Sequence, residues 1–203
     1  KWWRKQLISL MVKKKQIYIL AVDLDNTLIK TDMIHVGIKF ALLYRIYLLP
    51  KLIWLFLFKG KTYAKKYLFD TTSYSLENIT FNQSVIDFIK KNKEKYTYTI
   101  LISGSYYKYV DAISKYLGLF DFSVGTTLET NMISSNKTRY LKDKFGDLIF
   151  DYIGDSKKDI PIWETARTAY VVNSANITSQ LKHIKYKIIS WGRTVLCSFV
   201  VLR

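Results

Sequence analysis

The sequence predicts an α/β fold, a Rossmann-like parallel sheet with a helical, apolar insert after the first strand. Three observations predict it. Apolar, β-branched runs alternate with helix-like segments, which argues for βαβ units and a mostly parallel sheet. The first run, Ile17-Tyr18-Ile19-Leu20-Ala21-Val22, leads into Asp23-Leu24-Asp25-Asn26-Thr27. Its two acids fall at a strand's carboxyl end, where open α/β sheets place their ligands. The alternation then breaks before residue 82, at a stretch (40–58) whose only charges are Arg45 and Lys51.

Taken in order, the expected strands are 17–22, 98–102, 122–125, 149–153 and 169–172, and the helices between them are 82–95, 105–117, 137–145 and 159–167. The core is expected over 15–32 and 78–187, with the insert at 33–77. Within the insert, Pro50 favours a new helix start. The spacing predicts two short helices, about 33–49 and 50–58, forming a hairpin that dips into one leaflet or lies on it. Trp54, Leu55, Phe56 and Phe58 are the expected membrane contacts, and the basic, aromatic stretch 59–66 suits a headgroup boundary. The same residues would also suit a greasy cap on the core or an oligomer interface. Residues 1–14 read as a basic, aromatic interfacial helix and 188–203 as an apolar tail too short to span. The chain opens Lys1-Trp2-Trp3 without an initiator Met, and no small-residue cleavage site follows, so a secretory signal is not expected.

Composition narrows the function classes. The 203 residues are 49% hydrophobic, enough for a sizeable core in one domain with an insertion. One cysteine, Cys197, excludes an internal disulfide framework and fits a reducing compartment. Lys+Arg number 32 against 16 Asp+Glu, a formal charge of +16, which attracts something anionic: nucleic acid, a membrane surface or a phosphorylated substrate. The basic residues are scattered and no nucleic-acid-binding motif is present, so nucleic acid is not an expected partner.

Four local patterns carry chemistry. Asp23 and Asp25 would repel each other at a strand tip unless a cation or a shared proton relieves them. Ile100-Leu101-Ile102-Ser103-Gly104-Ser105 reads as a second strand ending in a hydroxyl and a glycine, with a helix opening at Ser105 whose amides could face an anion. Lys137 falls at a helix start, where its charge opposes the macrodipole and needs an offset. Tyr152-Ile153-Gly154-Asp155-Ser156-Lys157-Lys158-Asp159 gives a strand, a tight glycine turn and two acids four apart.

In this order the four patterns resemble the haloacid dehalogenase (HAD) superfamily, over roughly residues 15–175. The resemblance implies that Asp23 is a nucleophile forming an aspartyl-phosphate and that Asp25 is the general acid and base. It implies that Thr27, Ser103, Gly104 and Lys137 bind the phosphoryl group. Mg²⁺ would be held by Asp23, the Asp25 carbonyl and Asp155, with Asp159 in support. Finer likenesses at Asp23–Asp32, Leu117–Asp121, Tyr152–Asp159 and Trp163–Arg167 are similar to the HAD domain preceding bacterial UbiA-type prenyltransferases. The apolar insert also resembles that of membrane-bound phosphatidylglycerophosphate phosphatases. The expectation is therefore a Mg²⁺-dependent phosphatase, membrane-associated on the cytoplasmic side, acting on a phosphorylated lipid or lipid-linked sugar at an anionic membrane surface. The alternative is an accessory module of a membrane prenyltransferase.

Overall fold

Six parallel strands form a single sheet in the order β3-β2-β1-β4-β5-β6. They are β1 (Ile17–Val22), β2 (Tyr98–Tyr106), β3 (Phe122–Thr126), β4 (Leu148–Gly154), β5 (Thr168–Val172) and β6 (Tyr186–Ile189). The computed structural model describes residues 16–72, 79–146, 148–172, 177, 180–181 and 183–190. The strand order reverses between β1 and β4, and ligands bind at such a switch point in doubly wound sheets. Val22 of β1 pairs with Ile153 of β4, and the Asp23 amide donates to the Ile153 carbonyl at 2.9 Å. That register brings Asp23 level with the Gly154-Asp155 turn.

The strands read as unbroken apolar runs because both faces of the sheet are covered. Successive side chains point to opposite faces. Leu20 and Val22 therefore enter one core with Leu101, Val110 and Ile113, while Ile19 and Ala21 enter the other with Ile100, Leu141, Tyr152 and Trp163. The first core lies under α4 (Gln83–Asn92) and α5 (Tyr107–Leu117), and the second under α6 (Ser135–Phe145) and α7 (Ile160–Trp163). The close approach of β3 to the start of α5 depends on Gly125, where a Cβ would meet the Tyr107 Cα at 2.5 Å.

Three helices fill the insert: α1 (Met33–Tyr44), α2 (Leu49–Phe58) and α3 (Lys61–Thr71), with a 3₁₀ turn at Ile46–Leu48. Asp32 caps α1 by accepting from the Ile34 amide at 2.9 Å, and Pro50 sits in the first turn of α2, where its missing N–H costs nothing. The core of the insert is small: Leu52, Ala64 and Leu68, with Ile34, Ile38, Leu49 and Tyr67 packed around them. The base is tied side by side to the core. Lys30 N donates to Thr80 O at 2.9 Å, Asn82 N to Leu28 O at 2.8 Å, and Asn82 Nδ2 to Thr27 O at 3.1 Å.

The expectation of a membrane-associated protein is corrected here. No helix among the described residues is long and apolar enough to cross a membrane. With 12, 10 and 11 residues, α1, α2 and α3 fall well short of the roughly 20 a span requires. They pack on one another, and α3 rests on β2, as a cap over the sheet's carboxyl edge. Of the four expected contacts, Trp54, Phe56 and Phe58 are exposed and Leu55 is half-buried. Residues 1–15 and 191–203 lie outside the described residues, and the tail expected from 188 begins inside the sheet, as the end of β6.

In the insert, the helix expected over 33–49 ends at Tyr44 and a third helix, α3, follows the expected pair; in the core, helix boundaries differ from expectation chiefly at three places. The segment expected as one helix over 82–95 is α4 followed by a 3₁₀ turn at Lys93–Lys95. The helix expected from Ser105 starts at Tyr107, because β2 stays extended far enough for Tyr106 to pair with Thr126 after an irregularity. The helix expected over 159–167 shrinks to Ile160–Trp163. There the Thr165 and Ala166 amides tighten onto Ile162 and Trp163 before the chain enters β5.

Candidate active site

The polar cleft at the carboxyl ends of β1, β2 and β4 is lined by Asp23, Asp25, Asp32, Lys65, Gly104, Lys137, Lys158, Asp155 and Asp159, among others. Its volume, about 130 Å³, is of the order of a cavity that admits benzene (roughly 150 Å³). That scale admits a phosphoryl group, and the cleft is open to solvent on one side.

Lys137 organises the floor. It leaves the first turn of α6 and is almost wholly buried. Its Nζ donates to Asp23 Oδ1 at 2.8 Å, to Tyr152 Oη at 2.6 Å and to Asp159 Oδ1 at 3.2 Å. Tyr152 in turn donates to Asp159 Oδ1 at 2.8 Å. Burial disfavours the Lys137 charge, but Asp23 and Asp159 outweigh it and hold the ammonium protonated well above its ordinary range. Those two carboxylates are the offset that a lysine at a helix start requires.

Asp23 lies under opposing influences. Burial raises its carboxyl well above the ordinary range, Lys137 pulls it back, and Asp159 and Asp25 raise it further. Asp155 is pushed up to about 7 by burial and by Asp159, against a hydrogen bond from Thr27. Asp23, Asp155 and Asp159 each offer one oxygen, all within 4.8 Å of one another. Crowded carboxylates, here with the proton affinities of Asp23 and Asp155 raised, are what a hard divalent cation relieves, and an all-oxygen donor set suits Mg²⁺. The residues present therefore fit the expected metal. Asp159, expected only in support, belongs to this cluster, whereas the Asp25 carboxylate lies outside it.

Gly154 lets the turn close, since a Cβ there would meet Asp159 Oδ2 at 2.7 Å and Tyr152 Cε1 at 2.7 Å. Ser156 and Asp159 then cap each other at the following 3₁₀ turn, which fixes the Asp159 rotamer.

Asp25 is held differently. Its Oδ1 accepts from the Met33 amide at 2.9 Å, and its Oδ2 accepts from Ser105 Oγ at 2.6 Å and Ser103 Oγ at 3.1 Å. Burial and Asp32 raise its carboxyl above the ordinary range, against the Ser105 and Met33 hydrogen bonds. The extended backbone through Ser103-Gly104-Ser105 makes this possible, because residues i and i+2 of a strand share a face. A helix opening at Ser105 would have lost it.

Of the expected phosphate-binding residues, Lys137 and Gly104 line the cleft. Ser103 and Thr27 are fully buried, with their hydroxyls given to Asp25 and, at 3.4 Å, to Asp155. No row of helix N-terminal amides faces the cleft from Ser105, because Ser105 is strand. Ser105, Tyr152, Lys65 and Lys158 escaped the sequence reading as site residues. The Ser-x-Ser spacing on a strand could have signalled Ser105. Nothing in the sequence places Lys65, because it reaches the cleft only through the fold of the cap.

No family model matches the chain. An uncharacterized protein of Sinorhizobium fredii is 32% identical over 155 residues, covering 75% of this chain and 29% of that protein. The chain thus spans less than a third of the length of the curated relative it matches. Among solved structures, a Bordetella pertussis protein of unknown function superposes with a TM-score of 0.64 at 13% identity, over 86% of this chain and 99% of that one. A HAD-family hydrolase of Salmonella enterica serovar Typhi gives 0.60 at 16%, over 92% and 76%. A phosphoserine phosphatase, solved as a phospho-aspartyl intermediate analogue, gives 0.58 at 16%, over 89% and 95%. These comparisons do not show the expected likeness to the domain preceding UbiA-type prenyltransferases. The chain shares its fold with the phosphatases of the HAD superfamily.

Proposed function

We propose that the protein is a Mg²⁺-dependent phosphatase that hydrolyses a phosphate monoester through an aspartyl-phosphate on Asp23. The observation that carries this reading is the Lys137–Asp23 contact inside the acidic cluster of Asp23, Asp155 and Asp159. Lys137 holds Asp23 Oδ1, and among the described residues no donor reaches Oδ2, which is free to attack phosphorus. As the Asp23–phosphorus bond forms, the ester P–O bond breaks and Asp25 gives its proton to the departing oxygen. Asp25 then takes a proton from water, whose oxygen attacks phosphorus and releases Asp23. The raised proton affinity of Asp25 suits the first of these roles. Mg²⁺, when bound, lets anionic phosphate approach the acidic cleft and neutralises charge in the transition state. The phospho-aspartyl intermediate analogue of the structurally similar phosphoserine phosphatase also supports the reading.

The test is release of phosphate from p-nitrophenyl phosphate. Mg²⁺ should be required, EDTA should stop turnover, and Asp23→Asn should abolish it while leaving the far-UV spectrum intact. Turnover by Asp23→Asn near the unsubstituted rate would reject covalent catalysis through Asp23. No turnover by the unsubstituted protein on any ester would favour the accessory-module alternative.

A finer reading places the phosphate on a lipid or lipid-linked sugar. Its support is the outer face of the cap, where Leu43, Tyr44, Leu57 and Phe58 are exposed. Attaching an acyl chain to a test ester should then raise kcat/KM. No gain removes the lipid and leaves the phosphatase.

A further inference from the structure

Hydrogen-bond donors are scarce in the cleft. A hydroxyl gives one hydrogen and an ammonium three. Lys137 spends all three on Asp23, Tyr152 and Asp159. Ser103 and Ser105 give theirs to Asp25, and Thr27 gives its own to Asp155. The side chains expected to hold a phosphoryl group are therefore already committed to the protein's own oxygens. Two serines line the cleft itself, Ser134 and Ser156. Ser156 donates to Asp159 Oδ2 at 3.2 Å, whereas the half-buried Ser134 hydroxyl has no hydrogen-bond partner among the described residues.

Ser134 stands three residues before Lys137, in an unfavourable backbone conformation at φ 51° and ψ −131°. The Asn136 amide donates to the Ile133 carbonyl at 3.1 Å, so residues 133–136 form a β-turn with Ser134 at its first central position. The angles are close to those of a type II′ turn, about +60° and −120°, where glycine is ordinarily found because a Cβ is strained. A serine just before a helix ordinarily caps it, yet Ser134 makes no capping hydrogen bond to α6. Its surroundings hold the strain in place. Met132 is buried and its amide donates to Thr126 Oγ1 at 3.0 Å, while Asn136 Nδ2 donates to the Asn131 carbonyl at 2.8 Å. Ile133 lies against Gly104, where a Cβ would meet its Cγ2 at 2.6 Å. The side chain at 134 thus costs stability, and no hydrogen bond of its own among the described residues offsets that cost.

Resting on the phosphatase reading, we propose that Ser134 is a substrate-binding residue whose hydroxyl donates to a non-bridging oxygen of the phosphoryl group. The strained turn sets that hydroxyl in the cleft beside Lys137. It takes the duty that the HAD resemblance implies for Ser103, whose hydrogen is committed to Asp25. The acceptor is anionic, which makes the bond charge-assisted and strong.

Two variants that both lose the hydroxyl but differ in strain test this. Ser134→Ala keeps a Cβ at positive φ, and Ser134→Gly removes it. In Mg²⁺, both should raise KM for p-nitrophenyl phosphate, and Kd for inorganic phosphate by calorimetry, by about tenfold, the worth of a hydrogen bond to a charged group. Their Tm should differ: nearly unchanged in Ser134→Ala and raised by several degrees in Ser134→Gly, where the strain is relieved. A serine with a merely structural role would not give higher stability together with weaker phosphate binding. Unchanged KM and Kd in both variants, or weaker binding in Ser134→Gly alone, overturns the assignment and leaves the phosphatase standing. Neither turnover nor phosphate binding by the unsubstituted protein overturns both.

Discussion

Tyr152 shows how one hydroxyl can set the geometry of a charged site. It accepts from Lys137 and donates to Asp159, so it fixes the ammonium between Asp23 and Asp159 at no cost in charge. Its phenol is fully buried, and burial and Asp159 push its ionisation far out of range, so it serves as a neutral strut. Tyr152→Phe keeps the ring against Trp163 and removes only the hydroxyl. The expected loss of stability is about 1–3 kcal/mol, from leaving buried Lys137 and Asp159 short of one partner. Phosphatase kcat should fall by about tenfold while the metal requirement persists, read from chemical denaturation and from steady-state rates with titrated Mg²⁺. An unchanged kcat would show that the carboxylates alone suffice to place Lys137. The acids were legible in the sequence because strand ends and a glycine turn announce them, and Lys137 because it falls at a helix start. Tyr152 was not, because its position in an apolar strand looks like ordinary core.

Among the elements, the β2–β3–α5 junction is where packing and site geometry meet. The Gly125 Cα faces backbone on two sides, and a Cβ would meet Tyr107 Cα at 2.5 Å and Ser105 O at 2.9 Å. Gly125→Ala should therefore push Ser105 away from Asp25, costing about 1–3 kcal/mol of overpacking and lowering kcat together with stability. Gly118→Ala is the matched control. Gly118 ends α5 in the left-handed region at φ 61° with open space around its Cα, so an alanine there should cost about 1 kcal/mol of backbone strain and leave kcat alone. Equal effects of the two on kcat would deny the junction its role in holding Asp25. The central strands β1, β2 and β4 could be read from sequence because burial on both faces leaves uninterrupted apolar runs. Strand β6 could not: Tyr186-Lys187-Ile188-Ile189 is short, lies at the sheet edge and carries a lysine, as edge strands do. The cap resisted for a different reason. Its first two helices, α1 and α2, are apolar almost all round, so periodicity does not say which face is buried, and an apolar run of that kind suits membrane contact as well as a cap.

At the scale of the whole molecule, the acidic cluster sets the stability of the fold against the binding of its cation. Asp155 titrates at about 7 in the folded, metal-free protein, against an ordinary 3.8, because burial and Asp159 disfavour its charge. Above about pH 4 the unfolded chain has released that proton and the folded one has not. Between about pH 4 and pH 7 the unfolded state thus binds fewer protons, and metal-free stability declines as pH rises through that window. Asp23, raised by burial, acts with the same sign. Lys137 does not enter, because its raised proton affinity lies far above this range. A divalent cation requires the ionised carboxylates, so its affinity rises over the pH interval in which the metal-free fold weakens. Ligand held at a hundred times Kd adds about 2.7 kcal/mol. Thermal melts in EDTA should accordingly give a lower Tm at pH 8 than at pH 5.5. Millimolar Mg²⁺ should leave the pH 5.5 melt nearly unmoved and raise the pH 8 melt by several degrees. Asp155→Asn, which carries no titrating proton and offers a weaker ligand, should flatten the pH dependence in EDTA and shrink the Mg²⁺ shift at pH 8. A Tm in EDTA that climbs from pH 5.5 to pH 8, or a Mg²⁺ shift equal at both, would show that Asp23, Asp155 and Asp159 do not act as one metal-binding cluster.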